Sequence, residues 1–317
     1  MRLPGPDAVG AALRSRPARL LQVGVTLALL CWILASLDGR AWRAIGSIGP
    51  VALGGAVILF SSAQIFGGLR LSLLLPERSL WREALAATWI GYFWGNFLPS
   101  TVGGDVVRGF RLTRAGVKLP TVAGALLLDR LLNFCAVVLV LMATALPLSA
   151  GPARHIASAI AMPAAIAAAC GIGLVLWLAR SSERVRTAAR MALEPLRLVS
   201  RSPARLCGVV LMSLLSLGVA IAAEWLLARR LGIAIGIAEL ANIICLVTLL
   251  VLLPVSLNGL GLQEASFVVF LTRAGAPIEL ALSFSLLARV LIVGAGGIGG
   301  LVTIADRLTA GRRLRSP

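Results

Sequence analysis

Nine polar side chains lie within or beside long hydrophobic runs: Asn96, Asp105, Arg108, Asp129, Arg130, Asn258, Gln263, Glu264 and Arg289. Arginine keeps its charge in any protein environment and offers a planar fork of donors that matches phosphate or carboxylate oxygens. Arg130 and Arg289 are therefore candidates to clamp one anion from two sides, with Asp105, Arg108, Asn258, Gln263 and Glu264 adding polar contacts. Simpler roles exist for several of them. Asp105 reads equally as a helix N-cap, and Asp129 beside Arg130 as a structural ion pair, although charge at such depth is costly and favours function. Arg289 has no acidic neighbour in sequence, so Glu264 or Glu224 is its candidate partner, Glu224 reading alternatively as interfacial. Gln64 serves either helix packing or substrate contact.

Enzyme chemistry has little to build on. His155 is the only histidine, which leaves no zinc motif and no Ser/His/Asp arrangement at bilayer depth, and no catalytic residue is assigned. Cys31, Cys135, Cys170, Cys207 and Cys245 sit in apolar runs without C-x-x-C spacing and read as small buried hydrophobes. Gly294, Gly296 and Gly299 match G-x-G-x-x-G, but no strand precedes them, so close helix packing is the better reading. No cofactor, metal or nucleotide site is legible.

The elements that position these residues follow from composition. The chain has 317 residues, 59% hydrophobic and 14% charged, with a mean hydropathy of +0.94, outside the range of soluble domains. Its formal charge of +17 lies mostly between apolar runs, an orientation signal of membrane proteins and no sign of nucleic-acid binding. Crossing about 30 Å of hydrocarbon takes about 20 helical residues. Six runs qualify: Leu20–Leu37, Val51–Leu69, Val122–Leu146, Ile156–Leu178, Leu206–Leu227 and Leu280–Ala305. The first lacks a signal-peptide cleavage site and reads as a retained span. Leu85–Leu98 and Leu240–Leu253 are too short and read as re-entrant. Each ends in Leu-Pro, and a glycine-bearing polar turn follows, with Pro99, Gly103 and Gly104 in one case and Pro254, Gly259 and Gly261 in the other.

The two halves repeat. LTRAG begins at Leu112 and again at Leu271, 159 residues on, and the same offset relates Arg130 to Arg289. Loop charge sets the sidedness. The basic loop 180–205 and both tails, 1–19 and 307–317, should be cytoplasmic. Six full spans then require the first short segment to enter and leave from the cytoplasm and the second from outside. The expected fold is thus all-α and polytopic, with six full spans and two re-entrant hairpins in an inverted repeat, one membrane repeat over 20–148 and the other over 149–306. Turns at bilayer depth must line a polar cavity, and the helix N-termini restarting near Asp105 and Gln263 would favour an anion there.

GNFLPSTVGGDVVRGFRLTRAG, LLLDRLL and LPVSLNGLGLQEASFVVFLTRAG together resemble the signature regions of the lysylphosphatidylglycerol synthase transmembrane-region family of flippase-like proteins. The resemblance covers roughly Leu20 to Leu308. It implies movement of a lipid across the cytoplasmic (inner) membrane, with varied lipids in stand-alone members, including glycosylated polyprenols and hopanoids. By resemblance the motif positions are Asn96, Pro99, Gly104, Asp105, Arg108, Asp129, Arg130, Pro254, Asn258, Gly259, Gly261 and Glu264. Two departures stand out: no aminoacyl-transfer domain follows, and Gln263 stands where many relatives carry a basic residue. The expected function is transport of an anionic phospho-, polyprenyl-linked or hopanoid-type lipid. An intramembrane lipid-modifying transferase and a noncatalytic partner of a lipid-biosynthetic enzyme are the alternatives, and a homo-oligomer is left open.

Overall fold

Proline and glycine mark where the apolar helices begin and end. Pro50 and Pro203 occupy the first turn of two long helices, where a missing N–H costs nothing. The repeated LTRAG proves to be a helix stop. Gly116 and Gly275 adopt φ of 94° and 89°, a left-handed conformation that favours glycine. The N–H of the next residue returns to the leucine that opens each motif, Val117 to Leu112 at 3.2 Å and Ala276 to Leu271 at 3.0 Å, which closes the same C-terminal cap twice.

The computed structural model describes residues 31, 38–97, 103–145, 187, 190–252 and 259–313, and its elements are helical throughout. In chain order they are α1 (Gly39–Ser47), α2 (Pro50–Leu74), a single 3-10 turn (Arg78–Leu80), α3 (Trp81–Phe97), α4 (Gly103–Arg114), α5 (Leu119–Ala145), α6 (Glu194–Ser200), α7 (Pro203–Arg230), α8 (Ile237–Val251), α9 (Leu262–Arg273) and α10 (Ile278–Arg313). Four helices, α2, α5, α7 and α10, are long and apolar enough to cross a membrane, and they coincide with four of the six expected spans. The expected span Ile156–Leu178, all of Leu20–Leu37 except Cys31, and Pro99, Pro254 and Asn258 lie outside the described residues. The C-terminal tail expected from residue 307 begins as a continuation of α10.

The short helices are short as expected. With 17 and 15 residues, α3 and α8 extend about 25 and 22 Å at 1.5 Å per residue, less than the hydrocarbon thickness. Each is followed by a 12-residue helix, α4 or α9, and then by a long one. α4 and α9 start 159 residues apart, as do α5 and α10. Side-chain contacts show which helix ends share a face. Arg111 near the end of α4 pairs with Glu83 at the start of α3 (2.9 Å) and with Asp306 late in α10 (2.5 Å), so α3 and α4 double back. At the opposite end of α10, Glu279 pairs with Arg40 of α1 and Ser283 donates to the Ala41 carbonyl.

The long helices turn apolar residues outward, where lipid replaces water. Val51, Ile58 and Ile65 recur at seven-residue spacing along α2, and Val290, Val293, Leu301 and Ile304 line α10, all exposed. Cys135 and Cys207 lie on such outward faces; among the described cysteines only Cys245 is buried, which corrects the expectation of buried thiols. Inside, glycine permits close approach. Gly296, Gly299 and Gly300 of α10 pack on Trp89, Phe93 and Asn96 of α3, as the packing reading of that stripe requires. At Gly104 a Cβ would lie 2.5 Å from the Gly91 carbonyl oxygen. Gly104→Val should therefore push α4 off α3 and cost about 1–3 kcal/mol, measured as a lower midpoint in thermal unfolding of the detergent-purified protein.

Candidate functional site

Where α4 and α5 meet α2, five charged side chains form a continuous chain of hydrogen bonds. Arg70 donates Nε to Asp129 Oδ1 at 2.7 Å and Nη1 to Ser213 Oγ at 3.3 Å. Asp129 accepts on its other oxygen from Arg108 Nη2 at 3.0 Å, and Arg108 Nη1 reaches Asp105 Oδ1 at 3.2 Å. Asp105 closes the chain by accepting from Arg130 Nε. Arg70 and Asp129 are buried, at 5% and 3% exposure, and Arg108 Nε makes no hydrogen bond. The network sets three guanidinium groups against two carboxylates, a donor-rich arrangement that suits an arriving phosphate or carboxylate.

A shorter copy stands in the second half. Arg289 Nε donates to Glu264 Oε1 at 2.5 Å and its Nη2 to the Gly259 carbonyl at 3.2 Å. Glu264 Oε2 accepts from the Gly261 N–H at 2.7 Å, so one carboxylate both caps α9 and holds the arginine. Asp105 and Glu264 are 159 residues apart, as are Arg130 and Arg289, so the same acid on the short helix grips the same arginine on the long helix twice.

Beyond that pair the halves diverge. The position matching Arg108 is Phe267, which stacks edge-on against Phe284 at 5.2 Å, and the position matching Asp129 is Ala288, fully buried. The charge network of the first half is thus reduced to a single ion pair in the second. One cavity has a volume of about 610 Å³ and is lined by Arg70, Arg108, Arg130 and Arg289, by Asp105 and Asp129, and by Gln64, Tyr92, Asn96, Asn133, Ser216 and Gln263 among others.

Seven of the nine residues singled out from sequence line this cavity: Asn96, Asp105, Arg108, Asp129, Arg130, Gln263 and Arg289. Glu264 acts from behind through Arg289, and Asn258 lies outside the described residues. Gly104 lines the cavity, whereas Gly103, Gly259 and Gly261 do not. One expected pairing is corrected. Asp129 does not pair with Arg130, because adjacent helical residues point in different directions; its partners are Arg70 and Arg108. Asp105 is the third residue of α4, and its oxygens accept from Arg108 and Arg130. Arg70 was missed. It follows Leu69 directly and so read as the end of a span, yet Leu71, Leu73, Leu74 and Leu75 continue the apolar run beyond it.

Long apolar helices around a charged cavity define a multi-pass helical membrane protein. The sequence profile of the lysylphosphatidylglycerol synthase TM region matches residues 19–300, and the chain belongs to that family. Membership gives it a function related to membrane lipid. Comparison with curated proteins and with solved structures returned no match.

Asp129 is the centre of the charge network, so Asp129→Asn leaves the buried Arg70 and the partly buried Arg108 short of a counter-charge. Loss of one partner from a buried ion pair costs about 3–5 kcal/mol. Thermal unfolding of the purified variant should show that loss, and an unchanged midpoint would mean that the arginines find other partners.

Proposed function

We propose that the chain moves a lipid with an anionic headgroup from one leaflet to the other. The observation that carries this reading is the cavity, with four arginines and two aspartates in its lining. Its volume of about 610 Å³ suits a headgroup and leaves acyl or prenyl chains in the surrounding lipid. Polar lining at this depth serves to replace the water that a headgroup sheds on entering the bilayer. Arg130 and Arg289, on long helices of opposite halves, hold the phosphate or carboxylate between them.

In this account the protein has six full spans and two re-entrant hairpins in an inverted repeat. α3 and α4 enter from the cytoplasm, α8 and α9 from outside, and both termini are cytoplasmic. The matched lengths and starts of α4 with α9 and of α5 with α10 support the repeat. The Glu83, Arg111 and Asp306 cluster supports a hairpin whose two ends share a face with the end of α10. Rocking of one half against the other then opens the cavity to each leaflet in turn. No bond of the lipid is made or broken in this mechanism: Asp105, Asp129 and Glu264 are each held by arginine, so none stands free as a base. The lipid serves as substrate and no cofactor is required.

Two outcomes are expected. In a deletion strain, lipidomics with a membrane-impermeant headgroup label should find one anionic lipid still made but absent from the outer leaflet. A lipid missing altogether, with its precursor accumulating, would favour a transferase or biosynthetic partner instead. Complementation with Arg130→Ala or Arg289→Ala should insert normally and fail to restore outer-leaflet labelling; normal labelling by both variants would sink the clamp.

A further inference from the structure

One buried carboxyl group is left over by this site. Glu224 lies six residues before the end of α7, about 9 Å along the helix. It is 5% exposed, with Ile221, Ala223, Leu227 and Ala228 of its own helix buried around it. Its Oε2 has no hydrogen-bond partner. Asp105, Asp129 and Glu264 each lie within ion-pair distance of an arginine, and among the described residues no basic side chain comes that close to Glu224.

The groups that face it are few. Cys245 of α8 and Tyr92 of α3 lie within electrostatic range of the carboxyl. Tyr92 also lines the cavity and is within range of Arg289 of α10. The other charges on neighbouring helices are engaged elsewhere. Arg70 of α2 is bonded to Ser213 of α7, eleven residues before Glu224 and about 16 Å away along the helix. Asp129 and Arg130 of α5 belong to the cavity network, Glu194 of α6 bonds Thr121, and Glu239 lies six residues before Cys245 on α8.

A carboxyl group without counter-charge in such a pocket is accommodated as the neutral acid, and its ionised form needs water or a cation. Tyr92, which lines the cavity, carries a hydroxyl that can accept and donate a hydrogen bond. We propose that Glu224 is a proton-binding site of the transport cycle, linked to the cavity through Tyr92, so that loading or release of one proton accompanies each turn of the cavity. The step balances with water alone: the carboxylate takes one proton from water on one side and gives it to water on the other. This inference rests on the transport reading and extends it to an energy source.

Two measurements test it. The first is the pH-difference infrared spectrum of the whole protein in nanodiscs of phosphatidylethanolamine and phosphatidylglycerol. A carboxylic-acid carbonyl band should appear in the wild type, vanish in Glu224→Gln and return, shifted, in Glu224→Asp; a band unchanged in Glu224→Gln would overturn the proposal. The second is movement of fluorescent phosphatidylglycerol in vesicles of the same lipids, with and without a pH gradient. Wild type should speed up severalfold under a gradient of one direction, and Glu224→Gln should lose that response while still moving lipid. Wild-type movement indifferent to the gradient, or a response retained in Glu224→Gln, removes the proton coupling alone. A wild type that moves no lipid under either condition removes the transport reading itself.

Discussion

An arginine cannot shed its charge, so any arginine carried to bilayer depth must be met by an acid or its burial costs more than a helix can return. Two pairs of arginine and acid organise this molecule, Asp105 with Arg130 and Glu264 with Arg289. Each ties a 12-residue helix that starts at a turn to the long helix that follows it. The connection between those helices is itself fixed by glycine, at Gly116 and Gly275. Backbone cap and ion pair together hold the beginning and end of each short helix, and through it one wall of the cavity.

Divergence between the halves concentrates the charged groups in the first. Replacing the equivalents of Arg108 and Asp129 by Phe267 and Ala288 leaves the second half one ion pair and a packed aromatic contact. The first half keeps three arginines and two aspartates in one hydrogen-bonded network. An anion entering between Arg130 and Arg289 would meet guanidinium donors from both halves, which links the packing of α4 and α5 to the class of ligand proposed.

Much of this was legible in the sequence because membranes restrict the alphabet. Polar residues at depth are few and expensive, so Asp105, Arg108, Asp129, Arg130, Gln263 and Arg289 stood out against their apolar surroundings and meet at one cavity. Helix length was readable from run length for the same reason. Pairing was not, because it depends on rotation about each helix and on which helices touch. Asp129 turned to Arg70, 59 residues away, and not to its neighbour. Arg70 itself was hidden because the first arginine after an apolar run looks like an interfacial anchor, and only the packing of α2 against α7 shows it to be inside. LTRAG was recognised as a repeat, but its role as a helix cap appears only from the φ angles of its glycines.

The central claim is that this chain alone carries an anionic lipid between leaflets, and the most direct measurement is chemical quenching of labelled lipid in vesicles. Purified protein would be reconstituted with fluorescent phosphatidylglycerol, or with fluorescent phosphatidylcholine for comparison, and an impermeant reductant added outside. The account predicts that the protein exposes inner-leaflet phosphatidylglycerol to the reductant well beyond protein-free vesicles and favours it over the zwitterionic lipid. Quenching that stops at the outer leaflet for every anionic lipid tried would contradict it.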